Sequence, residues 1–513
     1  MQRKGMTRKE FLALTSMGIA GTYLSLHSDA LAAMMGGGGM GGGGMTGGTS
    51  VIDPPPGAAF RDPAEAVRNS NGVYELEAIE QQVNLNGTWA RLLTYNGSFP
   101  GPTIRTRKGD QLRVLYKNSL PYTTEKNFLG HTRNVTNIHT HGLHVSPEPP
   151  ADSMMVQLKP GETYEYTYDL SHEEPGHLTF YHPHVHGVVA EQYWGGLAGP
   201  LVVEDETSLL TGYETNIMVL KDITLSNGAP APYTSMMEYM HGKEGTMVMV
   251  NGQVNPVLPI RPGQVQRWQI VNACNARFFK LSLQNHPMYL IGTDGGLLDR
   301  PYPITSLVLS PGERIDILVK AGQKGGSYKF LSLPYSRGGM ISQQQVTLLT
   351  LSYGGSPLKE AVPSAINPLA KRVVMNTSTL PRKRLVLSMG QGRGYINGQS
   401  FVSMEDCLTV MSDLKTWEVW EIVNNSGMDH PFHQHVNPAQ ILSITGGDSA
   451  YRSLYTQIPA WKDVVIVPKW GSVTMLVPVM HWPGMSMFHC HIIEHEDIGM
   501  MGAWHIMGMP MEM

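Results

Sequence analysis

The chain has 513 residues, more than one hydrophobic core usually serves, so about three domains are expected. Its formal charge of −4 gives no reason to look for nucleic acid as a partner, and three cysteines cannot build a disulfide framework.

A basic start, the apolar run LALTSMGIAGTYLSL and a small-residue site at Ala30, Leu31 and Ala32 read together as an export signal over residues 1–33. The run is short for a membrane span and a cleavage-like site follows it, so no stable span is expected once the signal is removed. Within it, TRKEFL is similar to the twin-arginine pattern of proteins exported already folded, with Lys9 where the second arginine is expected. The expected destination is the periplasm or the exterior. Removing residues 1–32, which carry four basic and two acidic side chains, leaves a charge of −6. Residues 34–60, beginning MMGGGGMGGGGMTGGTSVIDPPPG, have almost nothing to bury and are expected to be a disordered linker.

Repeats divide the rest. YNG at 95–97, VNGQ at 250–253 and INGQ at 396–399 set Asn96, Asn251 and Asn397 at intervals of 155 and 146 residues. Each is followed by an apolar run ending in asparagine: QLRVLYKN, VQRWQIVN and TWEVWEIVN. Alternating apolar and polar positions rich in β-branched and aromatic residues predict strands, and the Pro-Gly and Asn-Gly pairs between them predict turns. No segment carries a long amphipathic helix. The expected fold class is therefore all-β, with three Greek-key β-sandwich domains at 61–206, 207–354 and 384–513 and a proline-spotted linker at 355–383.

Near the end, FHCHIIEHEDIGMM at 488–501 crowds three histidines, a cysteine and two methionines together. If 488–493 is extended, His489 and His491 share one face and Cys490 takes the other. Two imidazoles, a thiolate and a weak axial thioether form the ligand set of a blue copper centre, and Cys490, His495 and Met500 supply three of the four. Three more pairs share the i, i+2 spacing: His139 and His141 in NIHTHGLH, His182 and His184 in FYHPHVHG, and His433 and His435 in HPFHQH. His430, three residues ahead of the last pair, is free to be the missing imidazole. A lone His-x-His pair is ordinarily a core or surface feature, but four pairs with a cysteine threaded through one imply metal.

In order and spacing these segments resemble the four copper signatures of three-domain multicopper oxidases, particularly bacterial copper-efflux oxidases and spore-coat-type laccases. The resemblance runs from about Val73 to the C-terminus, and it implies that the sandwiches are cupredoxin domains. It further implies four copper ions: type 2 at His139 and His433; a type 3 pair at His141, His182, His184, His435, His489 and His491; type 1 at His430, Cys490, His495 and Met500. Met500, not Met501, lies at the family's spacing after His495. By the same resemblance His186 is a non-ligand. One-electron oxidation of a small reductant would then be coupled to four-electron reduction of O2 to water by a chain expected to act as a monomer.

That reduction also needs four protons, which carboxylates near the cluster can carry. Glu496 matches a family acidic residue placed between cluster and solvent, and Asp152 is a looser match with a turn or capping carboxylate as its alternative. Cys274 and Cys407 can pair or remain buried thiols, the latter preferred because they fall in different repeats. His144, His481 and His505 are expected to be packing or surface residues.

The 32 methionines cluster, with four between Met34 and Met45, five between Met236 and Met249, and nine from Met480 onward. Soft thioethers select Cu(I), so the clusters read as a cuprous-ion reception surface or as flexible surface sulfur. Met428 and Asp429, just before His430, can form a local substrate-copper site. The expected reductant is Cu(I), another metal ion, or a phenol or aromatic amine. Intact ligands argue against the alternative of a non-catalytic copper-sequestering or envelope scaffold, and three repeats argue against a two-domain nitrite reductase.

Overall fold

The computed structural model describes residues 50–205, 209–322, 325–339 and 344–508. The expected export signal, with its twin-arginine-like segment, and the methionines between Met34 and Met45 lie outside the described residues. These described residues form one compact unit.

That unit is all-β, as the alternation implies. Its first third holds two four-stranded sheets, one built on Tyr74–Leu85 and Gln111–Asn118, the other on His139–His141, His177–His182 and Gly199–Glu204. Side chains from both, among them Leu76, Tyr116, Tyr166, Tyr181 and Leu201, meet in one core, as in a sandwich. The middle third holds two six-stranded sheets and the last third two five-stranded sheets. The apolar faces of these two thirds join in a single core, from Trp268 and Phe330 to Trp420 and Phe488. Among the described residues every helix is short, the longest being Val189–Gly195 and Ser449–Tyr455. None is long and apolar enough to cross a membrane.

The repeats have a common physical cause. Asn96, Asn251 and Asn397 take φ of 52°, 52° and 51°, each followed by a positive-φ glycine, a turn whose twist suits a tight hairpin. Each side chain accepts from a neighbouring strand's backbone N–H: Glu77 at 2.6 Å, Val219 at 2.7 Å and Val386 at 2.7 Å. The run-ending asparagines are also equivalent. Asn118, Asn272 and Asn424 are buried, and each Nδ2 donates to two backbone carbonyls in loops or at strand ends.

Three expectations are corrected. The linker expected to be disordered is ordered from residue 50: Ser50–Ile52 pairs in parallel with Gln344–Tyr353, and Asp53 meets Lys329 and Thr347. Backbone pairing and two polar partners order what apolar burial alone would not. The strand expected across 488–493 ends at Cys490, because Ile493–Asp497 turns helical and the Ile492 carbonyl accepts from His495 and Glu496. Cys274 and Cys407 are both free, but only Cys274 is buried.

Candidate metal centres

Strand pairing brings the histidines together. His139 stands opposite His182 across one antiparallel pair, and His433 opposite His489 across another. Loop residues complete the set: His184 N–H donates to Asn137 Oδ1 at 2.6 Å and His435 N–H to the Met487 carbonyl at 3.1 Å. Three groups of ring nitrogens result, each compact enough for one metal ion: His139, His141 and His433; His141, His182 and His491; and His184, His435 and His489. The rings interleave, with His141 and His433 stacked at 3.8 Å and His139 and His435 at 4.0 Å.

A fourth group is different in kind. Cys490 Sγ lies 3.4 Å from His430 Nδ1 and 3.5 Å from His495 Nδ1, and the two nitrogens are 3.2 Å apart. Met500 is fully buried; its carbonyl accepts from Cys490 N–H at 3.0 Å and its N–H donates to the His495 carbonyl at 2.8 Å. Outer edges of both imidazoles are engaged, His430 Nε2 by Ser426 Oγ at 2.7 Å and His495 Nε2 by the Met240 carbonyl at 3.3 Å.

The surroundings prepare the imidazoles as ligands. Burial, reinforced by neighbouring rings, pushes His139, His141, His184, His433, His435 and His491 well below the ordinary histidine range, so they are neutral near pH 7. His430 is pushed down to about 3, chiefly by burial. Fixed acceptors hold the remote nitrogens: Asp152 Oδ2 at 2.8 Å from His139 Nδ1, the Pro183 carbonyl at 2.9 Å from His182 Nδ1, and the Asp463 carbonyl at 2.9 Å from His433 Nδ1. Those contacts leave the Nε2 atoms of His139, His182 and His433 buried without a hydrogen-bond partner. An unpartnered buried nitrogen is costly unless something positive meets it. The donor set therefore fits a metal ion, and neutral imidazole with one thiolate fits copper.

Both candidate carboxylates are buried. Asp152 also accepts from Thr140 N–H at 2.9 Å, and burial raises it to about 7. It thus contacts a histidine directly. Glu496 lies with one oxygen 3.3 Å from His184 Nδ1 and the other 3.3 Å from His489 Nδ1. Burial, with Asp497 beside it, raises its carboxyl well above the usual range. His186 stands apart from the four groups, against His131 and Phe401. His144 and His481 contact each other at 2.7 Å.

Sequence reasoning missed Asp463 and Arg314. Asp463 Oδ1 lies 3.2 Å from His141 Nε2, and Arg314, 1 % exposed at its side chain, binds the same carboxylate. Gly142, at φ +95°, gives Arg314 room: a Cβ there would run into the guanidinium. The available signal was a lone acid at the mouth of the apolar strand Val464–Val467.

Three multicopper oxidase family profiles match the chain in sequence, at residues 77–208, 207–356 and 374–507. The chain belongs to the multicopper oxidases. As a multicopper oxidase it is an oxidoreductase and a copper protein. It is 26% identical over 449 residues to multicopper oxidase mco of Staphylococcus aureus, covering 85% of this chain and 89% of that one. To a laccase of Bacillus subtilis it is 25% identical, covering 83% and 92%. Among solved structures, a multicopper oxidase from Campylobacter jejuni described as a metallo-oxidase superposes with a TM-score of 0.74 at 26% identity, covering 89% of this chain and 98% of that chain. The cupredoxin-like architecture of this oxidase is thus that of its relatives.

Proposed function

We propose that this multicopper oxidase is an exported enzyme that takes single electrons from Cu(I) and passes four of them to O2, with phenols and aromatic amines as overlapping substrates. In this reading His139 and His433 hold type 2 copper. His141, His182 and His491 hold one type 3 copper and His184, His435 and His489 the other, while His430, Cys490, His495 and Met500 hold type 1. Copper bound in these four places supplies one-electron acceptance at the cysteine site and reduction of O2 to two waters at the histidine cluster.

The observation that carries the reading is the position of Cys490. Its sulfur belongs to one group, while its covalent neighbours His489 and His491 belong to two of the three histidine groups. A short bonded path thus joins the electron-collecting site to the oxygen site. Glu496, set between His184 and His489, is placed to hand protons to oxygen as it is reduced. Asp152 orients His139 and can serve a second proton route.

Support for Cu(I) comes from a cavity of about 550 Å³ at the outer edge of the cysteine site, which Met236, Met237, Met240, Met389 and Met428 line. Ser426, in the same wall, touches His430, and the Met240 carbonyl touches His495. Thioethers hold Cu(I) there without stabilising Cu(II), so the oxidised ion leaves. Asp429 is turned to Tyr335 Oη at 2.6 Å and Lys469 N–H at 2.8 Å, which makes Met428 the stronger candidate of the pair. A phenol reaches the same edge past Trp470, 72% exposed. Oxygen uptake by copper-loaded protein, measured with Cu(I) and separately with a phenol, tests the proposal. Uptake with neither would favour the scaffold alternative.

A further inference from the structure

A second cavity, of about 480 Å³, shares no wall residue with the one beside His430. Five thioethers line it: Met155 exposed, Met154 and Met404 half-buried against a small apolar cluster, and Met487 and Met501, each 2% exposed, within that cluster. Met155 is 61% exposed, so it does not fill a core. Two imidazoles outside the four groups join them, His131 and His186, with rings 5.8 Å apart. The Nδ1 of His186 is buried without a hydrogen-bond partner. Among the described residues the one carboxylate in the wall is exposed Glu405. Soft neutral donors with so little charge suit a soft monovalent cation and give a hard divalent one little to bind. His184, of the His184, His435 and His489 group, lines the same cavity.

We infer that this cavity is a binding site for a soft monovalent cation, Cu(I), held by Met154, Met155, Met404 and His186, from which the ion passes to His184. Passage exchanges thioether for imidazole ligands and transfers no electron. It rests on the copper reading of the His184 group, whereas the binding site does not.

Ag(I), a redox-inert analogue of Cu(I), is the probe. Copper-loaded protein is incubated with Ag(I), desalted, and its silver counted. A protein carrying Met154→Leu, Met155→Leu and Met404→Leu, which keeps side-chain volume but loses sulfur, should retain one silver ion fewer per chain with blue absorbance and copper content unchanged. A protein carrying Met236→Leu, Met237→Leu and Met240→Leu should keep that ion. In the unaltered protein, labelled with 13C at its methionine methyls, Ag(I) should shift the Met154, Met155 and Met404 signals. Equal silver retention, or signals that do not move, would overturn the site. Copper-free full-length protein should refill from Cu(I) several-fold more slowly in the first variant. Equal refilling rates would overturn the passage to His184.

Discussion

Arg314 grips Asp463 through two parallel bonds, Nη1 to Oδ1 at 2.6 Å and Nη2 to Oδ2 at 2.5 Å, while Oδ1 also lies 3.2 Å from His141 Nε2 and 3.7 Å from His433 Nδ1. The Asp463 carboxylate therefore holds the His141 ring and neutralises a buried cation, while the carbonyl of the same residue holds His433 Nδ1 at 2.9 Å. Asp294, in contact with Lys462 at 2.8 Å, extends the network, whose members are all desolvated. Removing one partner from such a set leaves an uncompensated charge.

Asp463→Asn should thus weaken copper binding where His141 is a ligand by roughly 10- to 100-fold, the usual cost of losing a group that orients a metal ligand. Copper per chain after dialysis against a graded chelator measures this. The blue band should persist, because neither His430 nor Cys490 touches Asp463. Unchanged copper retention would reduce Asp463 to a packing role.

Cys490→Ser should abolish blue absorbance and oxidase activity together, since thiolate-to-copper charge transfer and the bonded electron path share one sulfur. The visible spectrum and oxygen uptake are measured on the same sample, alongside the unfolding temperature to establish that the fold persists. A serine protein that stayed blue would refute the type 1 reading.

How much of this was legible in the sequence follows from the range of the forces involved. The histidine pairs were visible because ligation uses scarce residue types at strand period, and the Asn-Gly turns because αL geometry selects them locally. Asp463 was not, since its meeting with His141 joins residues 322 positions apart. The end of the strand at Cys490 was also hidden. Histidines at alternate positions suggest extended chain, while the helical turn over IEHED is fixed by tertiary contacts such as Asp497 accepting from Gly187 and Ala190 N–H groups. Sequence counts likewise could not separate cavity methionines from core methionines.

Glu496→Gln should slow reoxidation by O2 on the order of a hundredfold, within the usual range for losing a positioned proton carrier. The amide has nearly the same shape and stays between His184 and His489. Rapid mixing with reductant would bleach the blue band at the normal rate, and its return in oxygen would be slow. Normal reoxidation would remove Glu496 from the proton path.

The methionine cluster between Met236 and Met249 splits in two, and the split makes the substrate test sharper. Met236, Met237 and Met240 project from the helix Met236–His241 into the cavity beside Ser426 and Met428. Met249 is fully buried in the core with Val219 and Val271, where sulfur serves packing. Cu(I) must dock near the His430 or His495 edge to donate its electron, and a phenol gains nothing from thioethers there. Met236→Leu, Met237→Leu and Met240→Leu together should therefore lower kcat/KM for Cu(I) about tenfold, or about 1.4 kcal/mol, and leave a bulky phenol nearly unaffected. Met249→Leu should leave both substrates alone and change only the unfolding temperature, by the small amount that volume-conserving core swaps cost. Equal losses on both substrates in the triple variant would assign the helix to general access, and no loss on either would make its methionines ordinary surface residues.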